Sequence, residues 1–256
     1  MTPFLIFICL IHCVVSKAVS FHKISAPKIV AVMSMQRSGS TSLNTLLSSH
    51  PCGINGNEIM TADKGQDILG AHKATGMSQK DSHSNPVDFL MRSHEMLCKT
   101  HSQCGGDCTI FVKIFDVHVL SNEGLTEMAM NEDIGYIVLE RDVHESYESL
   151  QNALNHKDWL TVPGQKRPDK EVYTITDKYL DRQRNWYEKV RGLLKDFGRT
   201  YVEVSFVTVQ SCDILHDVLP SIYSFFGMQL YDNIDVNSKS DSRLYRMKEF
   251  IDSCSR

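Results

Sequence analysis

The sequence predicts an α/β domain of three layers, with a central parallel sheet flanked by helices on both faces. Two wholly apolar runs, IVAVM at residues 29–33 and YIVL at residues 136–139, have the length and composition of strands buried on both faces. Each run stops abruptly at polar residues and is followed by apolar positions at helical spacing, so strand leads into helix, as in a parallel sheet. Composition allows this. The 256 residues are 42% hydrophobic and 23% charged, with 14 glycines and 7 prolines, which excludes a disordered or collagenous chain. The 27 basic and 31 acidic residues give a net charge of −4, which argues against a nucleic-acid partner held mainly through phosphates.

Residues 3–15 form an apolar run too short to span a bilayer and followed by Ser16, Ala18 and Ser20. We read residues 1–20 as a signal peptide or short signal anchor and residues 21–256 as a single domain. The protein is then expected in the secretory pathway, in the Golgi lumen or secreted, with a membrane partner only if the segment is retained as an anchor. Six cysteines follow that segment: Cys52, Cys98, Cys104, Cys108, Cys212 and Cys254. In an oxidising compartment they favour up to three disulfides, with connectivity open. The spacing of Cys98, His101, Cys104 and Cys108 also fits a zinc site, and a disulfide-pinned loop around Gly105 and Gly106 is the preferred reading.

After the first strand, Leu43, Leu46 and Leu47 mark a helix that His50-Pro51 ends. Residues 61–108 read as loop and short helix. Strands are expected at 110–115 (IFVKIF) and 201–206 (YVEVSF). Val143, Tyr147, Leu150 and Leu154 define a one-striped helix after YIVL. A longer helix runs from a Thr176 cap to Gly198, with Leu180, Trp186, Tyr187, Val190, Leu193, Leu194 and Phe197 inward and a basic outer face that is expected to be solvated. A short helix carries Ile222, Phe225 and Phe226, and residues 228–256 read as an irregular tail.

Two loops carry chemistry. SMQRSGSTSL, residues 34–43, puts Arg37, Ser38, Gly39, Ser40, Thr41 and Ser42 where a strand turns into a helix N-terminus, a place where unpaired backbone N–H groups and the helix dipole favour anions. A Ser-rich helix cap is the plain structural alternative. The G-x-x-x-x-G-K-[ST] pattern is absent, which disfavours an ordinary ATPase or GTPase. In the second loop, Arg141 follows YIVLE and Ser149 lies about two turns up the next helix, so both can face a second phosphate at the crevice of an open α/β sheet.

This pair, RSGST in one strand-loop-helix and R-D-x6-S in another, resembles the 5′-phosphosulfate and 3′-phosphate loops of sulfotransferases that use 3′-phosphoadenosine 5′-phosphosulfate. RSGST-L-x6-HP is most similar to the Golgi carbohydrate and tyrosylprotein branches, and VLERDVHESYESLQNAL followed by Trp159 to bacterial glycan-type relatives. The resemblance runs from about Lys28 to Met228. It departs at Val143, where many relatives have Pro, and at the basic C-terminal loop that covers the adenine, for which Lys239 and Arg243 are only candidates.

The resemblance implies the P-loop-like sulfotransferase fold and sulfuryl transfer from 3′-phosphoadenosine 5′-phosphosulfate to an acceptor hydroxyl, on a carbohydrate first and on protein tyrosine second. A non-catalytic secreted nucleotide-binding protein of the same fold is the alternative. Arg37 and Lys113 would stabilise the leaving phosphate, with Ser38 to Ser42 helping, and Arg141 and Ser149 would hold the 3′-phosphate. Glu58 occupies the place of the glutamate base of lumenal members. Phe115 stands where the cytosolic branch has a histidine, which leaves His118 as the fallback base. No metal is expected, since Arg and Lys neutralise the charge.

Overall fold

A computed structural model describes residues 26–61, 68–101, 104, 107–118, 121–156, 173–229 and 250–254. The signal segment, Trp159, Lys239 and Arg243 lie outside the described residues. The elements are β1 (Ile29–Ser34), α1 (Ser40–Leu47), β2 (Gly53–Asn57), α2 (Ala71–Thr75), α3 (Gln79–Ser84), α4 (Pro86–Thr100), β3 (Thr109–Ile114), α5 (Asn122–Met130), β4 (Ile134–Glu140), α6 (Val143–His156), α7 (Asp177–Asp196), β5 (Val202–Ser205), α8 (Phe206–Gln210) and α9 (Leu219–Phe225). Among the described residues no helix is long and apolar enough to cross a membrane.

The five strands form one parallel sheet in the order β2-β3-β1-β4-β5. Strand period sorts the apolar runs onto two faces. Ile29, Ala31, Met33, Ile110, Val112 and Ile114 pack against α4, α5 and α7, while Val30, Val32, Phe111, Ile137 and Leu139 pack against α1 and α9. Burial of each large aliphatic side chain contributes roughly 1.5–3 kcal/mol, so the two apolar layers dominate the fold's stability. After β1 the chain enters α1 on one face, and after β4 it enters α6 and α7 on the other. The two loops therefore diverge over the carboxyl ends of adjacent strands, which is where open α/β sheets bind ligands.

Several expectations are corrected. The segment GINGN, for which no strand was expected, is an edge strand, β2. Its Gly56 allows close packing: a Cβ there would stand 2.7 Å from side-chain atoms of Ile110 and Val112. Between residues 61 and 108 the described residues include the α-helices α2, α3 and the 15-residue α4, which begins with Pro86 in its first turn and buries Val87, Leu90, Ser93, His94 and Leu97 along one stripe. Phe206 opens α8 instead of ending β5. Leu154 is exposed, because α6 turns Leu150 and Ala153 inward, and Phe197 is exposed, because the inward stripe of α7 runs through Tyr179, Gln183, Trp186, Tyr187, Val190 and Leu194. In the tail, Phe250, Ile251 and Cys254 pack on the α9 face.

The six cysteines that follow the N-terminal segment are paired, as Cys52–Cys104, Cys98–Cys108 and Cys212–Cys254. The expected C-x2-H-x2-C-x3-C cluster is thus split between two disulfides, and His101 bonds Pro51 O through Nε2 at 2.9 Å instead of joining the sulfurs.

Candidate functional site

The β1–α1 loop turns through two left-handed residues, Arg37 at φ 66° and Gly39 at φ 87°. Gly39 precedes α1, and the first helical bond runs from Leu43 N to Gly39 O at 3.1 Å, so the amides of Ser40, Thr41 and Ser42 form the helix's free first turn. Glycine is required at 39 on two counts. Its φ is unfavourable for other residues, and a Cβ would come within 2.5 Å of the Phe206 ring. Ser38 Oγ is buried with no hydrogen-bond partner among the described residues, the kind of donor an anion's oxygen would satisfy. Ser40 is buried as well, and Ser42 is exposed.

The second loop meets the first directly. Arg37 Nε donates to Ser149 Oγ on α6 at 3.1 Å, and Arg141 Nη1 donates to Arg37 O at 3.0 Å. Arg141 also pairs with Glu145 at 3.2 Å, and its guanidinium lies 4.0 Å from the Phe206 ring centroid. Phe206 therefore touches Gly39 on one side and Arg141 on the other, a link between the loops that no sequence motif announces.

Buried polar groups of α6 and α7 brace both loops. Tyr187 OH accepts from Met35 N at 3.2 Å and donates to Leu139 O at 2.7 Å, tying the ends of β1 and β4 together. Ser146 Oγ donates to Gln36 O at 3.2 Å, and Gln183 Nε2 donates to Arg141 O at 3.2 Å. Burial pushes the Tyr187 hydroxyl pKa up, so it stays a neutral donor. The helical spacing of Tyr187 marked it as core, and its hydroxyl is what the apolar pattern could not place.

Lys113 lies on β3, an interior strand of the sheet, and is 2% exposed. It shares the α1 face with Phe111, two residues earlier, so its ammonium reaches the α1 N-terminus. Nζ donates to Thr41 Oγ1 at 2.9 Å and to Glu58 Oε1 at 2.7 Å. Glu58 follows β2 and is 36% exposed, so the ion pair joins a buried cation to a carboxylate that solvent reaches.

His118 lies beneath Glu58. Its Nδ1 accepts from Phe115 N at 3.2 Å, which leaves Nε2 to donate to Thr61 Oγ1 at 3.1 Å. Burial pushes its pKa down to about 4, against the opposing pull of the Glu58 charge. The histidine is neutral and buried, a structural partner for the Glu58 turn. The basic outer face of α7 is engaged locally: Arg182 pairs with Asp116, and Arg191 pairs with Glu140 at 2.9 Å and Glu203 at 2.7 Å.

No family model matches the chain, and no curated protein matches it. Among solved structures it is similar to a sulfotransferase domain from the Synechococcus PCC 7002 olefin synthase, at 15% identity over 90% of this chain and 84% of that one, with a TM-score of 0.44. It is also similar to the sulfotransferase domain from the curacin biosynthetic pathway, at 12% identity over 84% of this chain and 79% of that one, with a TM-score of 0.41. Both likenesses are remote.

Proposed function

We propose that the protein transfers the sulfuryl group of 3′-phosphoadenosine 5′-phosphosulfate to an acceptor hydroxyl. One observation carries this reading: the RSGST loop and the Arg141 loop converge, with Arg37 bonded to Ser149 across the gap, at the carboxyl ends of adjacent strands. A donor with phosphates at both its 5′ and 3′ positions needs two such elements side by side. In this reading the α1 amides, Ser38 and Arg37 hold the 5′-phosphosulfate, and Arg141 and Ser149 hold the 3′-phosphate.

Sulfuryl transfer builds negative charge on the bridging oxygen as the acceptor attacks in line, and positioned cations stabilise that charge. Lys113, fixed on Thr41 at the head of α1, is a cation at the helix N-terminus. Glu58, exposed and held by Lys113, accepts the acceptor's proton as general base. Because Arg37, Arg141 and Lys113 supply the positive charge, transfer is expected to survive chelation of divalent metal. A carbohydrate hydroxyl is the acceptor we favour, with tyrosine second. Pairing of those six cysteines supports a lumenal or secreted setting.

The test is calorimetric titration of the chain with adenosine 3′,5′-bisphosphate beside ATP–Mg²⁺. Micromolar binding of the bisphosphate alone, followed by label transfer from the sulfated donor to glycan or tyrosine acceptors, supports the reading. A folded chain that binds neither nucleotide overturns it. Binding without transfer to any acceptor leaves the non-catalytic alternative in its place.

A further inference from the structure

Far from the loops, at the amino-terminal edge of the sheet, His94 and Cys98 lie one turn apart on α4, and Cys108 immediately precedes β3. The three are buried, and their ligand atoms lie within 4.8 Å of one another, a grouping of at least three metal-ligating side chains found here among the described residues. His94 Nε2 is 3.2 Å from Cys98 Sγ and 2.9 Å from Cys108 O. An open cleft of about 470 Å³, whose lining includes Lys28, Arg92, His94, Glu95, Cys98 and Lys99, leads to it.

We propose that this cluster is a redox-gated binding site for a thiophilic divalent cation such as Zn²⁺, closed while Cys98 and Cys108 are joined and open once they are reduced. It is independent of the sulfuryl-transfer reading. Two thiolates and an imidazole at this spacing are the ligand set of a tetrahedral zinc centre, with water from the cleft as fourth ligand. The i, i+4 placement of His94 and Cys98 on a 15-residue helix fixes two ligands on one face. Cys98–Cys108 also closes the shortest of the three disulfide loops, with a separation of 10 residues against 52 and 42, so its opening releases the least chain entropy and the fold is best placed to survive it.

The steps balance. A dithiol reductant passes two electrons and two protons to the Cys98–Cys108 bond, giving two thiols, and becomes a cyclic disulfide. The metal ion then displaces both thiol protons and binds the two thiolates and neutral His94, whose proton moves to Nδ1.

The experiment uses the whole disulfide-bonded chain. Limiting dithiothreitol is applied and removed without air, alkylation and mass spectrometry identify the opened pair, and Co²⁺ is titrated with Zn²⁺ as competitor. Expected are thiols at Cys98 and Cys108, one Co²⁺ per chain with a thiolate-to-cobalt charge-transfer band and tetrahedral ligand-field bands, and displacement by Zn²⁺. His94→Gln, which can still donate to Cys108 O, should weaken the affinity by about tenfold or more, equivalent to at least about 1.4 kcal/mol. His101→Ala should leave it unchanged. Equal cobalt binding by the oxidised chain, a reduced chain without the charge-transfer band, equal effects of the two histidine variants, or loss of native circular dichroism on opening that pair would each overturn the proposal.

Discussion

Arg37 and Ser149 meet across the cleft between the two loops, Nε to Oγ at 3.1 Å. Each residue belongs to a different strand-loop-helix unit, so a ligand gripped by one is felt by the other. In Arg37→Ala, affinity for adenosine 3′,5′-bisphosphate is expected to fall about 10- to 100-fold, the range of one lost charge-assisted bond. Ser149→Ala should cost about tenfold. The double variant should lose less than the product of the two, since the partners are in contact, and calorimetry reads all three.

Glu58→Gln separates binding from chemistry. The amide can still accept from Lys113 but cannot take a proton, so bisphosphate affinity should change by less than about threefold while turnover drops roughly 10²- to 10⁴-fold. Single-turnover transfer of labelled sulfate checks this. Turnover that survives the change would remove Glu58 as the base.

Gly39→Ala combines a left-handed φ with a collision against Phe206. The backbone alone costs roughly 1–2 kcal/mol, and the displaced ring disturbs Arg141 further. Lower thermal stability and weaker bisphosphate binding are expected together. Adding Phe206→Ala to that variant should relieve the collision and recover part of the stability but not the affinity, because the guanidinium of Arg141 then loses its platform.

The His118 environment sets an acid limit. Its folded-state pKa of about 4 lies below the ordinary 6.5, so between those values the unfolded chain binds more protons than the folded one. Its share of stability, roughly 3 kcal/mol, is complete above about pH 6.5 and is lost as the pH falls toward 4. Burial lowers His50, His83 and His94 in the same direction, and Glu58, His83 and Lys113 act on His118 directly. Urea melts at several pH values should show a shallower acid limb in His118→Gln than in the parent chain.

Cys52–Cys104 ties the start of β2 to the end of α4, spanning 52 residues. Replacing both cysteines by alanine should lower stability by about 4 kcal/mol, as expected from the loop entropy, and denaturant melts of the double variant test it.

What the sequence disclosed depended on how each segment signals itself. IVAVM and YIVL announce buried strands because both of their faces are apolar. GINGN does not, since β2 is an edge strand that fits against β3 through its glycines, and glycine there reads as a turn. The stripe of α4 includes Ser93 and His94, which dilute its apolar period. The site divided in the same way. Arg37, Arg141 and Ser149 sit in motifs with fixed spacing, and the structure brings them together. Lys113 could be named but not aimed until the pairing of β3 with β1 assigned it to the α1 face. Tyr187, Gln183 and Phe206 act through contacts more than 40 residues away in sequence, and no local pattern encodes such a partner.

Phe206 has a consequence for synthesis. The ribosome releases the RSGST turn early, yet the ring that Gly39 makes room for, and on which Arg141 rests, emerges only after β5. Nascent chains that stop short of Phe206 should lack the contact that joins the two loops, however well their strands pair. The joined arrangement of the two loops is therefore expected to form only once the whole sheet has been translated.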